Sequence, residues 1–217
     1  MSARNLVIGI SILAISGAIA YFIAEKGGKH TLGVKNQSKP FQEQWLEQLS
    51  VGSSPEQLIE QGELAGAAYL IERRFIKGNA PYSQTVNAWL KALHSTTDTA
   101  LKRYIAERIL AITAAYEPDS LYLMYWARAQ AHRELGNRME SVFELITLLR
   151  HDSTFVPAHI QLARLFLNIN NTDKATKYLI KALALDPDNP QALRLLDSLR
   201  NTFAPQDSLL NHKSIES

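Results

Sequence analysis

The chain has 217 residues, 46% of them apolar and 20% charged, no cysteine, and a formal net charge of +2. The charge is too small for a nucleic-acid footprint. The missing cysteine excludes disulfides, thiolate metal sites and thiol catalysis, but it is compatible with either side of a membrane.

The N-terminus carries the first informative segment. Leu6 to Ala24, LVIGISILAISGAIAYFIA, is a run of 19 residues without a charge. As a helix it would reach roughly 28 Å, close to the thickness of a bilayer's hydrocarbon core. Residues 1–24 are therefore expected to form a single transmembrane anchor. The competing reading is a cleaved signal peptide, with Arg4 as the charged start and Ala18-Ile19-Ala20 as the cleavage site. Tyr21-Phe22-Ile23 continue the apolar run beyond that site and favour the anchor. Lys26, Lys29, Lys35 and Lys39 follow the run, and by charge alone they would hold the C-terminal side in the cytoplasm. The signal-like features argue for export. The expectation is a single-pass protein of a bacterial inner membrane, with a periplasmic domain slightly preferred over a cytoplasmic one.

Residues 25–40, rich in Gly, Lys and polar side chains, read as a flexible tether. Region 41–121 reads as helical. Phe41 to Leu49 has the pattern of a short amphipathic helix. Ser54-Pro55-Glu56-Gln57 resembles a helix start, and that helix is expected to run to about Arg74, before Gly78-Asn79-Ala80-Pro81 breaks it. Within it Gly62 and Gly66 suggest close packing, and Glu72-Arg73-Arg74 a solvated face. Gln84 to His94 and Asp98 to Tyr116 are two further predicted helices, the second ended by Glu117-Pro118-Asp119. No stretch alternates apolar and polar residues in the manner of a strand.

The next segment repeats itself. Tyr122–Phe155 and Val156–Asn189 align at an offset of 34 residues. Tyr125 falls on His159, Ala129 on Ala163, His132 on Phe166, and Gly136-Asn137 on Asn170-Asn171. Ser141 falls on Ala175, Leu145 on Leu179, Leu148 on Ala182, and Ser153 on Pro187. Leu162-Ala163, Phe166, Ala175, Leu179, Ala182-Leu183 and Asp186-Pro187 resemble the tetratricopeptide-repeat consensus in order and spacing. Repeat 122–155 departs from it at Arg128, where an apolar residue is usual, and at Ser153, where proline is usual. Ala88 to Leu121 fits only loosely, as a degenerate repeat. Segment 190–204 resembles a first repeat helix without its partner and reads as a cap, with Arg194 and Arg200 outward. Residues 205–217 read as a disordered tail.

The resemblance implies an all-α fold: a right-handed superhelical solenoid of antiparallel helix pairs behind one transmembrane helix. It also implies that the first helix of each repeat faces a concave groove able to take a peptide. On that phase the groove is lined by Trp126, Gln130 and Arg133, then Ile160, Arg164 and Leu167, with Arg194 from the cap. Core packing is the plain alternative for Trp126, and a solvated surface for Arg133 and Arg164.

The six histidines form no H-E-x-x-H motif or i, i+4 pair, and no P-loop, G-x-S-x-G or G-x-G-x-x-G occurs. No catalytic residue, metal, cofactor, small-molecule substrate or nucleic acid is expected. The expected role is a membrane-tethered adaptor for a protein or peptide partner, resembling in architecture the tetratricopeptide-repeat subunits of bacterial cytochrome c maturation. The alternative is a stoichiometric structural subunit of a secretion or pilus assembly.

Overall fold

The computed structural model describes residues 40–203; the expected anchor, most of the tether and the tail lie outside them. Ten helices and no strand occur among the described residues. None of these helices is long and apolar enough to cross a membrane. The chain divides into two compact units, meeting at Ser120 and Leu121.

The first unit contains α1 (Phe41–Leu49), α2 (Pro55–Glu60), α3 (Leu64–Ile76), α4 (Tyr82–Ser95) and α5 (Thr99–Ala115). Helix α2 starts on a capping box: the Ser54 amide donates to Gln57 Oε1 at 2.8 Å, and the Gln57 amide to Ser54 Oγ at 3.2 Å. The single helix expected from Pro55 to Arg74 is in fact two. Gly62 adopts φ +80°, and the Glu63 amide reaches back to the Leu58 carbonyl at 2.8 Å. A left-handed residue with this backward bond ends a helix by satisfying its last carbonyls. Gly66 meets the close-packing expectation: a Cβ there would lie 3.0 Å from Leu49 Cδ2 and 3.2 Å from Leu58 Cδ1. Helices α1 and α2 thus rest on α3, whose most extensive partner is α4.

A second correction concerns Glu72, expected on a solvated face. It is buried, and its carboxylate receives Trp89 Nε1 from α4 at 2.8 Å and Arg108 Nε from α5 at 3.2 Å. Arg108 Nη2 closes the pair onto the other carboxylate oxygen. Burial disfavours the Arg108 charge, but the adjacent Glu72 carboxylate outweighs it and raises the arginine's pKa. Arg73 and Arg74 are exposed, facing Glu47 and Glu56. One carboxylate therefore joins three helices of this unit. Trp89 is sealed beside it, its ring meeting Tyr104 edge-on at 6.3 Å.

The second unit contains α6 (Leu121–Glu134), α7 (Arg138–His151), α8 (Val156–Leu167), α9 (Thr172–Leu185) and α10 (Pro190–Phe203). The closest pairings are α6 with α7 and α8 with α9, each joined by a short turn that makes the pair an antiparallel hairpin. Positions 34 apart behave alike. Ala129 and Ala163, Ser141 and Ala175, Leu145 and Leu179, Leu148 and Ala182 are all fully buried. Ala158 and Ala192 continue the series into α10. The turns also match: Gly136 and Asn170 have φ 79° and 55°. The next amide in each, Asn137 and Asn171, donates back to His132 and Phe166 carbonyls at 2.9 Å.

That phase does not extend into the first unit. Leu121 and Arg138, where α6 and α7 begin, have Asn87 and Tyr104 as counterparts, yet α4 and α5 begin at Tyr82 and Thr99. The α4–α5 turn uses Asp98, whose carboxylate accepts from the Leu101 amide at 2.7 Å, in place of a left-handed residue.

Two outcomes check this account. Glu72→Ala strands a largely buried guanidinium and the Trp89 N–H, and is expected to cost about 3–5 kcal/mol in urea denaturation. Ala175→Leu overpacks the α8–α9 hairpin and is expected to cost about 1–3 kcal/mol; a variant melting like wild type would refute the repeat phase.

Candidate partner-binding surface

All seven residues expected in the groove lie in the second unit, on α6, α8 and α10. The structure brings only some of them to a surface. Arg164 and Arg194 are exposed. Leu167 and Trp126 are half-buried against the hydrophobic core of the α6–α10 unit. Trp126 meets Phe155 edge-on at 5.2 Å, so packing accounts for one side of its ring. Arg133 is turned toward its neighbour Glu134, with Nη2 at 2.6 Å from the carboxylate.

Gln130 and Ile160 are buried, at 1% and 5% exposure, and do not line an open surface. The reason is that α6 and α8 are covered on more than one side. Ala127, Ala129 and Ala131 surround Gln130 with fully buried positions, and Leu162 and Ala163 do the same after Ile160. A reading that assigns one buried stripe per helix cannot foresee this.

Arg128, the departure from the repeat pattern, has a structural answer. It occupies the place of Leu162, and Glu144 occupies that of Tyr178. Arg128 Nη2 lies 2.7 Å from Glu144 Oε1, with the glutamate side chain only 4% exposed. An ion pair between the two helices thus stands where the second hairpin has Leu162 and Tyr178. Burial raises the Glu144 pKa, and the opposing charge of Arg128 restrains the rise. His132 is lowered, first by burial and then by Arg128, against Glu140. In the second hairpin Tyr178, at the place of Glu144, stacks on Phe166, the counterpart of His132, at 5.7 Å, with Lys174 Nζ 5.2 Å from the Phe166 centroid.

Sequence reasoning missed Gln191. Its Oε1 lies 3.5 Å from Arg164 Nη2, a long contact that ties α8 to α10. Its position one turn before Arg194 on the same helix was the available signal. Among the described residues no group of three or more His, Cys, Asp or Glu side chains is placed to hold a metal ion.

Residues 156–189, the α8–α9 hairpin and its following turn, match the tetratricopeptide repeat. No curated protein and no solved structure matches the chain. The matched segment and the preceding hairpin of the same period define a helical-repeat unit of the kind that binds proteins.

The Arg128–Glu144 pair generates a double-mutant cycle. Arg128→Leu is expected to cost about 3 kcal/mol or more, because Glu144 is left buried and unpaired. Adding Glu144→Tyr, which copies the second hairpin, is expected to recover most of the loss. The pH response follows from the raised Glu144 pKa. The folded state holds this proton more tightly than the unfolded chain, so ionisation opposes folding. The group's contribution to stability falls as pH rises from the ordinary glutamate value through the raised folded value, and stays low above it. Wild type should therefore lose stability relative to Glu144→Gln as pH rises above the ordinary glutamate range, measured by denaturation at each pH.

Proposed function

We propose that the protein is a non-catalytic, membrane-tethered scaffold that holds a partner polypeptide on the surface formed by α8 and α10. The observation that carries the reading is the pair of hairpins with a common 34-residue period, one of which matches the tetratricopeptide repeat. Such hairpins stack into right-handed superhelices with a concave face. The uncharged run Leu6–Ala24 supplies the tether, fixing the repeat unit beside a membrane complex, preferably in the periplasm of a bacterium. Assembly of an envelope complex suits this arrangement, and cytochrome c maturation is one instance. On this reading Arg164, Leu167 and Arg194 meet the partner and Trp126 supplies an aromatic edge.

A second reading, a stoichiometric structural subunit, has its own support. Met139 and Phe143 lie one turn apart on α7 and are 77% and 65% exposed, an apolar pair on the surface of that helix.

A photo-crosslinker at Ser198, on the exposed side of α10, is expected to capture the partner in the adaptor reading. Capture only from position 143, in a fixed ratio that survives stringent washing, would favour the structural subunit instead. A reporter fused after Ser217 is expected to be active outside the cytoplasm; activity inside would reverse the orientation.

A further inference from the structure

Resting on the membrane-tethered reading, we infer that the outer face of α1, with Phe41 and Trp45, lies in the headgroup layer of the bilayer that holds the anchor, among anionic lipids.

Helix α1 has two unlike sides. Leu46 is fully buried, and Leu49 lies against Gly66 of α3. Phe41, Gln44, Trp45 and Gln48 are exposed, the two aromatic residues at 77% and 36%. Their spacing of i, i+3, i+4 and i+7 puts all four on one helix face. At 100° per residue both acids of the helix, Glu43 and Glu47, fall off that face and leave it uncharged. An uncharged face with a tryptophan and a phenylalanine suits the boundary between headgroups and acyl chains, where aromatic rings are enriched.

Chain connectivity selects the bilayer as the occupant. The described residues begin at Pro40, immediately before Phe41, and residues 1–39 include the uncharged run Leu6–Ala24. Residues 25–39 separate the run from α1, a reach of about 50 Å at most. They carry Lys26, Lys29, Lys35 and Lys39 against a single acid, Glu25, a balance that attracts anionic headgroups. So short a connection gives the face an effective concentration on the order of millimolar at the surface, and a contact too weak to bind alone then suffices. The exposed pair Met139 and Phe143 is placed differently. It lies in the second unit, and exposed Arg150, two turns after Phe143, shares its line along α7.

The test uses the full chain, one copy per lipid nanodisc of phosphatidylglycerol and phosphatidylcholine. The chain has no cysteine, so Gln48→Cys creates a single site for a nitroxide label on the outer face. Power saturation reads the label's access to oxygen, which concentrates in lipid, and to a neutral nickel chelate, which stays in water. The oxygen-to-nickel ratio is expected to exceed, by roughly threefold or more, that of the variant also carrying Phe41→Gln and Trp45→Gln. Exchanging the rings, Phe41→Trp with Trp45→Phe, should preserve the high ratio, and discs of phosphatidylcholine alone should lower it. Circular dichroism of each variant is expected to match its parent, since both positions are exposed. A ratio unchanged by the glutamines would overturn the inference, as would one unchanged in phosphatidylcholine discs. Low access to both reagents would overturn it too, by showing protein rather than lipid on the face. Flotation with liposomes separates the two failures. A chain that floats while its label meets water loses this inference and keeps the tether. A chain that does not float loses both.

Discussion

Two helices can lie close only where their facing side chains are small, and the second unit is organised around that constraint. Ala129 and Ala163 on one side, and Ser141 and Ala175 on the other, are fully buried at the closest approach of each hairpin. The Ser141 hydroxyl fits because it finds an acceptor, donating to the Ala129 carbonyl at 2.9 Å across the interface. Leucines 145 and 179 then fill the space one turn further on. Once these positions are set, the turns, the register and the direction of the exposed face follow. The left-handed residues at 136 and 170 reverse the chain at the one distance that returns the next helix to its partner.

Helix α10 varies the same constraint. In α10, Asp197 and Arg200 stand where α8 has Ala163 and Phe166. They are exposed and 3.8 Å apart, in contact with each other. A following helix packed as α9 packs on α8 would have to bury both charges, at a cost of several kcal/mol unless each found a partner. The open side of α10 is thereby kept compatible with water.

Much of the second unit is legible from residue order, because small residues, leucines and a turn signal at fixed spacing describe one geometry. The first unit is less legible for a physical reason. Its central carboxylate, Glu72, sits in a string of charges that reads as surface, and its partners Trp89 and Arg108 are remote in sequence. A buried ion pair leaves no periodic trace. The interruption at Gly62 is similar: glycine is tolerated within a helix, and only the backward bond from Glu63 shows that this one ends it. Arg164 and Arg194 are exposed, but the repeat phase could not tell that Gln130 and Ile160 are covered from a second direction.

The three tryptophans differ in setting, which gives the molecule internal optical labels. Trp89 is fully enclosed and bonded to a carboxylate, Trp126 is half-covered against a phenylalanine, and Trp45 is about a third open to solvent. Indole emission shifts to longer wavelength as water gains access, so the enclosed ring should supply the blue edge of the band and the open one the red edge. Trp89 belongs to the unit built on Glu72, and Trp126 to the unit built on the repeats. Loss of the blue edge would therefore report melting of the first unit, and a change in the middle of the band melting of the second.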